Sequence, residues 1–190
     1  MTETYIEGKT FEKKDFTETQ ILCEEFEDCT FIDCNFANTD LSNVIFSDCD
    51  FKGCNLSNAK IAGAAFRDVR FKDCKLLGLR FDECNIFLLE VGFANCNLNV
   101  SSFYGLKIKK TKFADCNLSE VDFSTAELSE AVFQNCDLRR AQFENSILEK
   151  ADFRTAYNYS FDPELNRIKK AKFSKEGIDG LLGKYEIEIT

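Results

Sequence analysis

Ala131-Val132-Phe133-Gln134-Asn135, Cys136-Asp137-Leu138-Arg139-Arg140, Ala141-Gln142-Phe143-Glu144-Asn145, Ser146-Ile147-Leu148-Glu149-Lys150 and Ala151-Asp152-Phe153-Arg154-Thr155 are consecutive five-residue units, each with Phe or Leu in third place. The same spacing runs back without interruption to Phe93. There the phase slips by two, across Phe87-Leu88-Leu89-Glu90-Val91-Gly92, and a second series continues from Ile86 down to Phe11. Together the two series hold 29 centres, every one Phe, Leu or Ile. Two residues before each centre stands a second constraint: from Cys29 onward that position is Cys, Ala, Val, Thr, Ser or Leu. The other three positions of each unit are mostly polar or charged. An amphipathic helix repeats every 3.6 residues and a strand every two, so neither yields a strict five. A chain that turns a corner every five residues does.

Two regularities point to four units per coil. In the second series Phe alternates strictly with Leu or Ile at the centres, so opposite faces of a square coil would carry Phe and the other two faces aliphatics. Cysteines also recur at intervals of twenty, as Cys34, Cys54, Cys74 and, beyond the slip, Cys96, Cys116, Cys136. These six are expected to form one column.

These units closely resemble the pentapeptide-repeat family, whose central Leu or Phe follows a small residue two places earlier. The resemblance spans roughly residues 11–173. It implies an all-β fold: a right-handed quadrilateral β-helix of seven to eight coils, roughly 35 Å long at about 4.8 Å per coil. The chain then divides into a lead-in (1–10), the β-helix (11–173) and a terminal segment (174–190). In the last, Ser174 is the expected N-cap of a short helix, and Tyr185-Glu186-Ile187-Glu188-Ile189 alternates like an edge strand.

Composition narrows the function. The 190 residues include 20 Phe and 10 Cys but no His or Trp, with a net charge of −9. Without His the usual acid–base and triad arrangements are missing, and no glycine-rich phosphate loop occurs, so enzymatic activity and a cofactor are not expected. The negative charge disfavours direct nucleic-acid binding. No apolar run reaches the roughly 18 residues of a membrane span, and the first residues lack a secretory pattern. A cytoplasmic protein with reduced thiols is expected. Nine of the ten cysteines occupy the small inward position, where Cys packs as an apolar residue, so no metal site is expected. Cys23 is out of phase and is expected to be exposed and oxidisable.

Several stretches depart from the plain repeat. Lys9, Lys14, Thr19 and Glu24 fall where small apolar residues belong, which predicts distorted first units or a polar cap. The slip at 87–92 reads either as a re-registering bulge or as an apolar contact patch. Residues 15–51 hold ten acids and no Lys or Arg. Two basic clusters lie farther along, Lys107, Lys109, Lys110, Lys112 and Arg167, Lys169, Lys170, Lys172. Acid excess is therefore concentrated in the first half, as a solvated surface or as a docking surface imitating DNA.

The segment from Asp162-Pro163 to the terminal Glu-Ile-Glu-Ile resembles the ends of Qnr-type and related microcin-immunity proteins. That resemblance implies a homodimer joined through the carboxyl ends, with Ile178, Leu181, Leu182, Tyr185, Ile187 and Ile189 as dimer contacts. It also implies a protein partner, DNA gyrase or topoisomerase IV, met by phosphate-mimicking carboxylates. Glu24, Glu25, Glu27, Asp28, Asp33, Asp40, Asp48 and Asp50 are the candidates here. The chain lacks the long projecting loops of the plasmid-borne members. A structural or scaffolding solenoid that binds an unrelated cytosolic protein is the alternative expectation.

Overall fold

The computed structural model describes residues 4–18, 21 and 23–188. Its strands are three or four residues long, because each must end at a corner. On one face β1 (Tyr5–Glu7), β3 (Glu25–Glu27), β5 (Ile45–Ser47) and β7 (Ala65–Arg67) form a four-stranded parallel sheet. The next face carries β2 (Thr10–Glu12), β4 (Thr30–Ile32), β6 (Asp50–Lys52), β8 (Val69–Lys72), β9 (Val91–Ala94), β10 (Lys112–Ala114) and β11 (Val132–Gln134), parallel and in that spatial order. The other two faces pair through single bridges, such as Asn55↔Lys75 and Ser102↔Asp122. Register is twenty residues in nearly every pairing, Phe26↔Phe46 and Phe113↔Phe133 for example. Four five-residue units therefore make one coil of a right-handed quadrilateral β-helix. The ladder already includes β1, ahead of Phe11, with Ile6 opposite Phe26.

The corners explain the polar residues. At many of them the central residue's carbonyl accepts from the amide three residues on, as in Ala126 N–H to Phe123 O (3.0 Å) and Ala151 N–H to Leu148 O (3.0 Å). The second residue inside each such turn has positive φ, near +59° at Thr125 and +60° at Lys150. Asn, Asp and Gly tolerate that left-handed conformation best. They occupy most corners of the first half, including Asp28, Asp33, Asn38, Asn43 and Asp48.

The core is a stack of rings. Phe11, Phe31, Phe51, Phe71, Phe93, Phe113, Phe133, Phe153 and Phe173 form one continuous column, with neighbouring centroids 4.7 to 5.5 Å apart. A second column faces it edge-on. In the first coils its members, on the adjacent face, are Phe26, Phe46 and Phe66; from Phe81 it moves to the face opposite the first column and continues through Phe103, Phe123 and Phe143. Beyond the slip the opposed-Phe arrangement expected from the alternation is therefore present, with Phe113 and Phe123 edge-to-face at 5.7 Å.

Four expectations need correction. Ile86, the last centre of the first series, points out and is 71% exposed. Phe93 must lie over Phe71, and the pairing of β8 with β9 makes that step 22 residues. The Glu90 amide donates to Phe66 O at 3.0 Å, so the ladder resumes at Glu90, and Leu89 packs on the core where Ile86 was expected. Cys23 is buried, not exposed: it points inward while Glu24 faces solvent, and its thiol donates to Glu25 O at 3.1 Å. The terminal helix is replaced by two 3₁₀ turns, Ile178–Leu181 and Gly183–Tyr185. Ser174 does accept from the Gly177 amide at 3.1 Å. Glycines at 177, 180 and 183 weaken an α-helix, and Gly180 lies so close to Tyr159 that an added Cβ would collide with the Tyr159 carbonyl oxygen. Nor do residues 186–188 form a strand, since Glu186 is left-handed at φ +50°.

At the other end, Lys9, Lys14 and Glu24 are exposed, and Ile6, Phe11, Phe16 and Ile21 are only partly covered. Thr19 lies outside the described residues. These first units form a polar, incompletely packed end.

The ring stack predicts a sharp contrast between two centres. Phe113→Ala, at 0% exposure, should cost about 3–5 kcal/mol, whereas Ile86→Ala should change stability by less than about 0.5 kcal/mol. Guanidinium unfolding of both variants, followed by circular dichroism, measures the difference.

Candidate functional site

The position two residues before each centre holds nine of the ten thiols, where they serve the backbone. The Cys34, Cys54, Cys74, Cys96 and Cys136 sulfurs each donate to the carbonyl of the Phe one coil below, at 3.3 to 3.4 Å. Ser101 does the same to Leu76 O and Ser146 to Phe123 O, both at 2.8 Å. Cys and Ser at this position are thus small donors that satisfy a carbonyl inside the wall. Desolvation pushes the Cys49 thiol up to about 12 and the Cys84 thiol to about 12. Neighbouring sulfurs and burial push Cys74 and Cys116 up as well. Such thiols are neutral and poor nucleophiles. Among the described residues no group of His, Cys, Asp or Glu could hold a metal ion, and no helix is long and apolar enough to cross a membrane.

The candidate acids are set out along the outside of the wall and do not converge on a pocket. Glu25 and Glu27 lie on β3, Asp28 at the corner after it, and Asp48 one coil above Asp28, the two levels joined by the Asp28 amide on Ser47 O at 3.0 Å. Asp50 begins β6, on the far side of that corner. These five line one edge of the rod, and Glu24 flanks them on the same face. Asp33 sits at the next corner. Asp40 belongs to the face opposite β6 and is apart from the group.

Partners differ within the group. Tyr5 Oη donates to Glu27 at 2.7 Å, and the carboxylate holds the phenol proton well above its usual range. Arg67 reaches Glu25 at 3.9 Å and Lys52 reaches Asp50 at 2.9 Å. Hydrogen bonds from Ser42 lower the pKa of Asp40. Glu24, Asp28, Asp33 and Asp48 have no cation within 4.0 Å among the described residues. Corner geometry accounts for part of this acidity, because Asp28, Asp33 and Asp48 are all left-handed. Asn38, Asn43 and Asn58 serve equally at equivalent corners. The turn favours Asx or Gly; it does not ask for the charge.

Three other surfaces stand out. At the slip, Ile86, Phe87 and Leu88 form an apolar knuckle, each more than 60% exposed. Beside it, across the corner between the two main sheets, lies an open groove of about 770 Å³ lined by β6, β8, β9, β10 and lysines 107, 109 and 110. Sequence reading missed this groove, since its walls come from residues 20 and 22 apart and the slip hides their alignment. At the carboxyl end, Ile178, Tyr185 and Ile187 are exposed, as are Tyr157 and Leu165. Leu181 is buried against its own core and Leu182 is partly covered, so neither is free to the extent expected. Ile189 lies outside the described residues. Lys184 ties this end together, reaching Asp162 at 2.9 Å and Glu164 at 2.6 Å.

Stacked four-sided coils with an apolar column at every face, and solvent-facing side chains on every wall, define a repeat solenoid that presents extended surface. The profile of the pentapeptide repeat region matches residues 24–86 and 86–156, and the chain belongs to the pentapeptide-repeat family. Among solved structures, a trypsin-treated single-site variant of QnrB1, described as a plasmid-mediated fluoroquinolone resistance protein, is similar over 99% of this chain and 98% of its own, at 20% identity and a TM-score of 0.50. HetL, a pentapeptide-repeat protein of heterocyst differentiation regulation from Nostoc sp. strain PCC 7120, covers 91% of this chain and 89% of its own, at 16% identity and a TM-score of 0.47. At these identities the likeness concerns the fold. No curated protein sequence matches the chain.

The Cys49 and Cys84 thiols give an alkaline signature. Raised pKa values in the folded state mean that the folded chain keeps protons which unfolded cysteines lose above about pH 8.5. Their contribution is complete below that pH and is lost as pH rises toward about 12. Denaturant midpoints should therefore fall between about pH 9 and about pH 11, with a shallower fall in Cys49→Ala/Cys84→Ala. An equal slope in both proteins would contradict the assignment.

Proposed function

We propose that this chain is a non-catalytic interaction protein whose acidic edge imitates the phosphates of duplex DNA and engages a type II topoisomerase, DNA gyrase or topoisomerase IV. The observation that carries the reading is the edge formed by Glu25, Glu27, Asp28, Asp48 and Asp50 and flanked by Glu24, where Glu24, Asp28 and Asp48 have no cationic neighbour among the described residues. Corner geometry does not require their charge. Coils repeat about every 4.8 Å, of the same order as the axial rise of about 3.4 Å per phosphate on one DNA strand, and a rigid wall holds the charges without an ordering cost on binding. The shared solenoid fold with QnrB1 is consistent with such a role, at an identity that leaves the partner to experiment. The edge lies toward the amino end. If two protomers join through Ile178, Tyr185 and Ile187, the acidic edges fall at the distal tips of the dimer.

A second reading is favoured by the knuckle at 86–88. Three adjacent exposed apolar side chains suit an apolar pocket on an unrelated cytosolic partner, with the solenoid as scaffold.

Supercoiling by cognate gyrase, titrated with the protein with and without ciprofloxacin, separates the two. Topoisomerase engagement should inhibit the enzyme or rescue it from the drug, and the effect should weaken at high salt. Glu24→Lys/Glu25→Lys/Asp28→Lys should abolish it, while Phe87→Ser/Leu88→Ser should leave it intact. No effect at large molar excess would rule out the topoisomerase reading. For the carboxyl-end contact, Ile178→Glu/Ile187→Glu should convert a dimer to a monomer in sedimentation equilibrium; a wild-type protein that is already monomeric at high concentration would end that part of the proposal.

A further inference from the structure

We propose that the groove at the slip is a binding site for a small polyphosphate-bearing molecule, adjoining the acidic edge at Asp50. Three features of the groove carry this. The first is its floor. Along β9 the wall reads Gly92 and Ala94, and β10 adds Ala114, so a stretch of sheet carries almost no side chain. An added Cβ on Gly92 would meet nothing within 4 Å, which makes the space above it open and not a packing requirement.

The second feature is charge. Below Gly92 in register stands Arg70, and Lys112 is on the strand above. Lys72, Lys107 and Lys110 complete the rim. Arg70 is held by Asp68 at 3.0 Å and Lys109 by Glu127 at 2.8 Å. Lys72, Lys107, Lys110 and Lys112 have no carboxylate within 4.0 Å among the described residues. Of the carboxylates in the lining, Asp68 is taken by Arg70 and Asp50 by Lys52, which leaves Glu90 against the four lysines. Four ammonium groups without an ion-pair partner around one cavity, in a chain of net charge −9, repel one another and favour an anion among them.

The third is size. A cavity of about 770 Å³ falls in the range of small-molecule sites. Leu89 and the floor offer apolar contact beside the cationic rim. Several phosphates in one ligand would satisfy the lysines together, as point charges that need no fixed fork geometry.

Calorimetric titration of the full chain with inorganic tripolyphosphate and with ATP, at about 50 mM and about 300 mM salt, tests the site. Tripolyphosphate should bind, and more weakly at the higher salt. Tighter binding of ATP would show that the apolar floor takes the nucleoside, and equal binding that the phosphates suffice. Gly92→Trp fills the groove, and Lys107→Gln/Lys110→Gln removes half of the free lysines while leaving the backbone alone; each should weaken binding about tenfold or more. Lys169→Gln/Lys170→Gln makes the same change of net charge in the other basic cluster and should leave affinity within about twofold. Absence of binding, equal weakening by the distant pair, or tighter binding of single-stranded oligothymidylate than of tripolyphosphate would each overturn the proposal.

Discussion

The stacking of each ring on the one a full coil below is the interaction on which the rest of this protein depends. The nine phenylalanines from Phe11 to Phe173 keep their centroids within 4.7 to 5.5 Å of one another, a spacing set by strand pairing and equally suited to ring contact. Hydrogen bonding and core packing thus demand the same rise per coil. Where the two would conflict, at the slip, the chain keeps the stack: Phe93 lies over Phe71 at 5.5 Å, and the two surplus residues are expelled into the knuckle. Holding the core in register costs three exposed apolar side chains.

A wall built this way leaves function to its outward positions. Each unit contributes two inward side chains and three that face solvent, and the outward ones align into columns along the rod. Charge can vary from coil to coil with little consequence for packing, because exposed pairs such as Lys52–Asp50 contribute little to stability. One rod can therefore carry an acidic edge in its first coils, a cationic groove at its middle and an apolar knuckle beside that groove. A repeat fold is a support on which local surfaces are placed.

The ends obey a different constraint. Each exposes a coil with no neighbour, and unpaired strand edges invite association. At the carboxyl end Leu181, Tyr159 and the tight Gly180 contact close the core, while Lys184 pins the segment to Asp162 and Glu164. The amino end is closed less completely, with Ile6, Phe11 and Phe16 partly covered and Lys9, Lys14 and Glu24 exposed where later units place small apolar residues. The acidic edge lies beside this less protected end, where like charges also oppose the stacking of a second copy.

Much of the fold was legible because the code is local and repeated. A five-residue unit with one large and one small apolar residue states its own corner, and intervals of twenty between cysteines state the coil. The Cys34-to-Cys136 column and the opposed phenylalanines beyond the slip followed from spacing alone. Ile86, Cys23 and the terminal turns did not. In each, a residue matched or missed the local pattern while its placement was decided by a neighbour one coil away: Phe71 fixing Phe93, Thr4 receiving the Cys23 thiol at 3.5 Å, Tyr159 crowding Gly180. The acidic composition of residues 15–51 was plain in the sequence, but which acids share an edge required the faces to be assigned, and Asp40 proved to lie apart. The cationic groove shows the limit most clearly. Arg70, Gly92 and Lys112 are 22 and 20 residues apart, and only the climb of the backbone through the slip brings them into one column, because register is a property of stacked coils and not of any single unit.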